Sequence, residues 1–364
     1  MTSRLAISNH GLRNSGGIER YALTLVRGLH DRGLRPTFIA KKFDHSLPEA
    51  GWVDPIRVRM MGLPGKLHDH FFDWRIRAIK ARRGLFPLIA CNQTGAADIA
   101  ICGSTHPGYL AAMGLRAGLS DRWKTRLERA HLKNAQIVVA HSRRMAEEAQ
   151  RYHGVAAGKI RLLYPPVDGE RFSTVGEAER QRLRKSLGLP HDRAVFLLAS
   201  TGHKRKGLDL LVEFFRSTAL PVSLVIAGRP IDTTATNIHY LGYRNDIENV
   251  YRAVDFTILA SSYEPFGLVG VESVLCGTPV LVAEGVGCAE VIEPPARITF
   301  DRQTPDSLSA AITEALRLWY AGTSRLSTPS DWLGYDPSVT THVTALLELL
   351  RDVKKVASQA RTKP

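Results

Sequence analysis

The chain has 364 residues, 44% hydrophobic and 23% charged, a balance that predicts a globular protein of about two domains. It contains no run of 18 apolar residues, which excludes a membrane-spanning helix, and its start, MTSRLAISNHG, lacks a signal-peptide pattern, which predicts a cytoplasmic location. The net charge of +14 is one-sided: residues 1–180 hold 29 Lys+Arg against 16 Asp+Glu, and residues 181–364 hold 20 against 19, so an anionic partner (nucleic acid, acidic membrane or phosphorylated acceptor) stands beside the plainer alternative of a solvated basic surface.

Arg4 to Ser8 reads as a strand and Ile18 to Arg32 as an amphipathic helix with Ile18, Ala22, Leu25 and Leu29 on one face. Pro36 to Ala40 reads as the next strand, so the chain opens β–Gly-loop–α–β, as a parallel α/β layer does. Gly16 and Gly17 before the helix allow close approach of a ligand, or serve a turn. The most basic section, Leu63 to Pro87, puts Phe72, Ile76 and Ile79 on one helical face among Arg and Lys; it fits a helix lying on an anionic membrane and equally a core helix with a basic back. Asp98 to Cys102 reads as a strand running into a Gly/Pro loop, where His106 is placed to meet a sugar hydroxyl, with a merely structural histidine as the alternative. A basic helix over Arg122 to Ala135 follows, then a strand over Ile137 to Ala140. Ser142 caps a helix over Arg143 to Tyr152, and Ile160 to Tyr164 is a further strand. Pro165-Pro166 stiffen the chain and mark a domain boundary, giving domains of residues 1–168 and 169–337, with a helix over 338–356 able to pack back on the first.

Polar sequence continues to the buried strand Ala194 to Ala199. After it, Lys204, Arg205 and Lys206 crowd the start of a helix over Leu208 to Phe215, where they repel one another and the helix dipole unless an anion sits there, which favours phosphate binding over a solvated charge run. Val222 to Ala227 is a strand, Tyr240 to Arg244 a short strand and loop, and Asp246 to Ala253 a short helix. Then comes strand, loop, helix and strand over Phe256 to Val282. Glu264 lies in the loop and Glu272 in the helix Leu268 to Leu275, with backbone N–H groups of Phe266, Gly267 and Leu268 at its start. A helix over 305–320, a last helix over Val339 to Val356 and a frayed basic tail complete the chain. Cys91, Cys102, Cys276 and Cys288 fall in no metal-ligand or redox spacing and read as free thiols.

The run E-P-F-G-L-V-x-x-E from Glu264 to Glu272, followed by G-T-P-V, resembles the retaining glycosyltransferases of family 4. Gly16-Gly17-Ile-Glu-Arg20, Ser142 with its helix, Leu163 to Asp168, Lys206-Gly207, Leu241-Gly242 and Ala253-Val-Asp255 fall in that family's order. The resemblance implies the GT-B fold: α/β, two Rossmann-like doubly wound domains facing a central cleft, residues 1–168 binding the acceptor and residues 169–337 the nucleotide sugar. It implies that Glu272 binds ribose, that Glu264 binds the transferred sugar with help from Phe266, Gly267 and Leu268, and that Lys206 neutralises the diphosphate. Gly16 and Gly17 approach the leaving phosphate, Arg244 joins the donor-binding set and His106 faces the donor sugar. The usual Gly-Arg ahead of Lys-Gly is replaced by Thr201-Gly202-His203, and Arg205 stands in as guanidinium, as in the lipopolysaccharide-core heptose glucosyltransferases, the nearest subgroup.

The implied reaction moves a hexose from a nucleotide sugar, UDP-glucose or similar, to a lipopolysaccharide-core-like or other membrane-associated glycan. Lys206, Arg205 and helix N–H groups take the growing charge of the leaving diphosphate, so neither cofactor nor metal is expected, and His106, Glu264, Lys206 and Arg205 form the catalytic set. The basic first half places the protein on the inner face of the cell membrane. A sugar-nucleotide epimerase or hydrolase on the same fold is the alternative. A nucleic-acid-binding protein ranks lower, because no RNP, zinc or helix-turn-helix signature is visible, and nucleic acid is not expected as a partner.

Overall fold

The computed structural model describes residues 4–60, 62–232 and 235–362. It divides into two compact units, Met1–Pro166 with Pro337–Pro364, and Val167–Asp336. The boundary lies two residues before the one expected at 168.

The first unit is built on a parallel sheet of β1 (Arg4–Ser8), β2 (Thr37–Ala40), β3 (Asp54–Arg57), β4 (Leu85–Ala90), β5 (Ile99–Cys102), β6 (Ile137–Ala140) and β7 (Ile160–Leu162), in the order β3-β2-β1-β4-β5-β6-β7. Gly11–Leu12 and Lys42–Phe43 form a separate short parallel pair. In-register neighbours such as Ala6 with Thr37 and Leu88 fix the sheet. Its strands are apolar along their whole length because both faces are covered. Ile7, Phe38 and Ile89 face one cluster, with Leu25, Val26 and Leu29 of helix Gly17–His30 and Val343, Leu346 and Leu350 of helix Val339–Thr362. Ala6, Ile39 and Leu88, one residue out of phase, face the other, with Phe72 and Ile76 of helix His68–Arg83.

That packing decides between the two readings of the basic helix, in favour of the core helix with a basic back. Phe72 and Ile76 are fully buried under the sheet, and Ile79 packs beside them, so the expected apolar face is core. The helix turns Trp74 and the basic residues Arg77, Arg82 and Arg83 to solvent. The last helix also runs past the expected end at Val356, to Thr362.

The second unit repeats the design with β8 (Ala194–Ser200), β9 (Val222–Gly228), β10 (Ile238–Tyr240), β11 (Phe256–Leu259), β12 (Val280–Ala283) and β13 (Arg297–Phe300), all parallel, in the order β10-β9-β8-β11-β12-β13. Both sheets therefore show the Rossmann order, wound outward in two directions from a central pair, β1/β4 in one and β8/β11 in the other. The polar stretch before β8 is not a plain linker. It contains helix Glu177–Ser186, whose Arg180 and Arg184 are buried against Asp255. Asp255 takes Arg180 Nη2 at 2.5 Å, Arg184 Nη1 at 3.1 Å and the Val195 amide at 2.9 Å, which ties that helix to the start of β8 and the approach to β11.

Candidate active site

Chains leaving the carboxyl ends of β8 and β11 flank the point where the second sheet reverses its winding, the place where open α/β sheets bind ligands. Residues 201–207 follow β8 and residues 260–267 follow β11, and the two segments touch. Gly207 permits this: its φ is +73°, and a Cβ there would lie 2.1 Å from the Ala260 carbonyl oxygen. The Ser262 amide donates to the Arg205 carbonyl at 2.9 Å, and Arg205 Nη1 donates to the Tyr263 carbonyl at 2.7 Å.

This contact brings Glu264 against two cations. Lys206 Nζ lies 2.5 Å from Glu264 Oε2, Arg205 Nη1 lies 2.9 Å away, and the Ser261 hydroxyl donates to the same oxygen at 3.2 Å. The other oxygen, Oε1, accepts from none of the described residues. Burial alone would raise the Glu264 carboxyl, but Lys206 and Arg205 outweigh it and hold the group below the usual carboxylate range. Sequence reading sent Glu264 to a sugar and Lys206 with Arg205 to an external anion. The structure pairs them with each other, so part of the anion that crowded cations require comes from Glu264 itself.

Gly267, with φ +91°, turns the chain into helix Leu268–Leu275, placing the backbone of Phe266, Gly267 and Leu268 at its start. Glu272 lies inside that helix, 3% exposed, and accepts from the Tyr251 hydroxyl at 3.2 Å. Arg302, beyond the end of β13, was missed by sequence reading; its Nη1 donates to the Ser262 hydroxyl at 2.8 Å, adding a third cation to the loop. The available signal was its place just past the carboxyl end of a strand. Arg244 is not drawn into this cluster: its guanidinium pairs with Asp246 at 2.7 Å.

In the first unit, Gly16 caps helix Gly17–His30 at the carboxyl end of β1, on that sheet's own reversal point. A Cβ at Gly17 would meet nothing within 4 Å, so no neighbour in the chain demands glycine there. His106 corrects its expected loop placement. It is the first residue of helix His106–Ala112, with Thr105 as N-cap and Pro107 in the first turn. Its amide donates to the Glu128 carboxylate at 2.9 Å, and its Nε2 lies 2.9 Å from Asp121 Oδ1. It lines a cavity of about 530 Å³ in this unit.

All four cysteines are buried, and burial pushes the thiols of Cys91, Cys276 and Cys288 up to about 12 and that of Cys102 higher, so none is a nucleophile near neutral pH. Among the described residues, no group of three His, Cys, Asp or Glu is placed to hold a metal ion, and no helix is long and apolar enough to cross a membrane.

Residues 15–171 match Glycosyltransferase Family 4, and residues 179–325 match Glycosyl transferases group 1. The chain is 44% identical over 348 residues to a probable transglycosylase of Burkholderia thailandensis, covering 95% of this chain and 96% of that one. Its fold is similar to that of Anabaena HepE, solved in complex with UDP and glucose (TM-score 0.75, 16% identity, 96% of this chain and 100% of that one). It is also similar to WaaG, a glycosyltransferase involved in lipopolysaccharide biosynthesis (TM-score 0.74, 17% identity, 88% and 94%).

Proposed function

The chain belongs to the glycosyltransferases that join a Family 4 domain to a group 1 domain, and from that premise we propose that it transfers a hexose from a nucleotide sugar, UDP-glucose or a close relative. The acceptor is a lipopolysaccharide-core-like or other membrane-associated glycan, and the anomeric configuration is retained. The observation that carries this reading is the cluster of Glu264 with Lys206 and Arg205 at the reversal point of the second sheet. UDP in the complexes of Anabaena HepE supports the donor, and the role of WaaG supports the acceptor.

In this reaction Lys206 takes the charge that grows on the leaving diphosphate, with Arg302 reaching the segment after β11 through the Ser262 hydroxyl. Three cations supply positive charge that a divalent ion would otherwise bring, which supports a metal-independent reaction. Glu264 holds a hydroxyl of the hexose through Oε1 while Oε2 stays on the cations, and the N–H groups from Phe266 to Leu268 steady the same sugar. Glu272 takes the ribose, and Gly17 lets backbone approach a phosphate. Holding donor and acceptor in a dry, fixed geometry supplies orientation. The basic solvent face of helix His68–Arg83, with Trp74 57% exposed, supports peripheral attachment to anionic lipid on the inner face of the cell membrane.

A thermal-shift screen of UDP- and GDP-sugars tests the donor, since a bound ligand raises Tm in proportion to ln(1 + [L]/Kd). UDP-hexoses are expected to stabilise the protein, and Lys206→Ala and Glu272→Ala to lose both that stabilisation and transfer. Undiminished transfer in both variants would overturn the assignment.

A further inference from the structure

Asp121 meets two demands, and only one of them belongs to its own helix. It stands in the first turn of helix Leu119–Asn134, where an acidic side chain suits the positive end of the dipole, and its Oδ2 accepts the Gly118 amide at 2.9 Å. That contact is enough for the cap. Its Oδ1 serves another helix: it lies 2.9 Å from Nε2 of His106, the first residue of helix His106–Ala112. The rest of His106 is fixed as well. Its amide donates to the Glu128 carboxylate at 2.9 Å, and the Tyr109 ring stacks beside the imidazole with centroids 6.4 Å apart.

The donor and acceptor roles in this pair follow from charge. The Gly118 amide, His106 and the Lys124 ammonium together outweigh desolvation and hold the Asp121 carboxyl below its usual range, so it is ionised near neutral pH. A carboxylate has no hydrogen to give, so in the neutral imidazole the ring hydrogen sits on Nε2. Nδ1 is left as a lone pair that accepts and cannot donate. Among the described residues Nδ1 has no partner. The His106 side chain is 21% exposed and lines the cavity of the first unit, so the ring is held in place while still open to a ligand. A phosphate or carbonyl oxygen gains nothing from a bare acceptor of this kind, whereas a hydroxyl does.

We propose that Asp121 is a positioning residue of the transfer reaction: it locks His106 in the Nε2–H tautomer, so that Nδ1 accepts a hydroxyl of the hexose carried by the nucleotide. The proposal rests on the transferase reading and adds to it the residue that decides what His106 can bind. Reversing the tautomer would put a hydrogen where the sugar needs an acceptor, although the ring itself had not moved.

Asp121→Asn in the full chain separates the two demands. Its amide oxygen can still take the Gly118 amide, which turns the NH2 group to Nε2 and drives the ring hydrogen to Nδ1. Nitrogen NMR of labelled histidine rings reads the tautomer, with His106→Phe to identify the resonance, and calorimetric titration with UDP and with UDP-glucose reads the consequence. The wild type is expected to carry the hydrogen on Nε2. In Asp121→Asn it should move to Nδ1, and the affinity for UDP-glucose should fall about tenfold, the size of one lost hydrogen bond, while that for UDP stays unchanged. His106→Phe should show the same selective loss. An Nδ1–H ring in the wild type, an unmoved hydrogen in Asp121→Asn, or UDP-glucose affinity equal to wild type in that variant would overturn the proposal. So would an equal loss for UDP and UDP-glucose, which would mark Asp121 as a support of the fold alone. If the wild type binds neither ligand, the transferase reading falls and the role of His106 with it.

Discussion

The pairing of Lys206 with Glu264 can be tested by a double-mutant cycle of Lys206→Met and Glu264→Gln. The two side chains are 10% and 13% exposed and 2.5 Å apart, so they interact largely out of water. Deleting one partner of such a pair costs about 3–5 kcal/mol. Arg205 remains 2.9 Å from Glu264 and keeps part of the compensation, so Lys206→Met should cost about 2 kcal/mol. Glu264→Gln leaves two cations facing each other and should cost about 3 kcal/mol or more. With both removed, much of each penalty disappears, for a coupling of about 2 kcal/mol. In a unit of this size that corresponds to about 4–8 °C in Tm. The pH dependence follows from the depressed carboxyl. Its folded value lies below the ordinary 4.5, so the contribution is complete above that value and is lost as pH falls through the folded one. Urea unfolding of all four proteins, near neutral pH and again in strong acid, measures the cycle. A coupling under about 0.5 kcal/mol near neutral pH, or one unchanged in acid, would refute the argument.

Two further outcomes concern the frames around the site. Asp255→Ala strands Arg180 and Arg184, both buried, and should destabilise the second unit by about 3–5 kcal/mol in urea, whereas Asp255→Asn, which keeps an acceptor for the Val195 amide, should cost less. Burial holds the His342 imidazole down to about 4, with Nδ1 against the Tyr164 carbonyl and Nε2 against the Tyr21 hydroxyl, both at 2.9 Å. The folded value is below the unfolded one, so stability is complete above about 6.5 and falls as pH drops toward 4, by about 3 kcal/mol. His342→Gln should flatten that slope in a pH series of urea midpoints. Part of it will remain, because His10 and His141 are pushed down by burial in the same unit.

The strands and the reversal points were legible because a sheet covered on both faces demands continuous apolar runs, and Phe256–Leu259 and Ile137–Ala140 are such runs. The orientation of helix His68–Arg83 was not legible. Phe72 and Ile76 make the same stripe for a membrane or for a sheet, and only Ala6, Ile39 and Leu88, distant in sequence, decide between them. His106 was misread because a seven-residue helix is too short to show periodicity, although Thr105 as cap and Pro107 behind it were signals in plain view. Arg180 and Arg184 could not be singled out within the polar stretch before β8, because their partner, Asp255, lies more than 70 residues away. Glu264 and Lys206 were each singled out, but their pairing depends on the touching of two loops that only the strand order reveals.

That pairing also separates the two cations, which sequence reading had treated alike. Arg205 spends both hydrogens of Nη1 on the Tyr263 carbonyl and Glu264, so that nitrogen is committed to holding the loop after β11. Lys206 is a point charge with three donors, one of which is spent on Glu264. An arriving diphosphate can share Lys206 without stripping the carboxylate of its neighbour, because Arg205 stays behind to compensate it. Taking Arg205 as well would leave Glu264 a buried, unpaired anion beside a second negative charge, the costliest arrangement open to the site. In the proposed reaction Lys206 is therefore the catalytic cation and Arg205 the positioning one. Glu264 then keeps Oε2 on the cations throughout and has Oε1 for the sugar, so the ion pair fixes the very carboxylate that must orient the hexose.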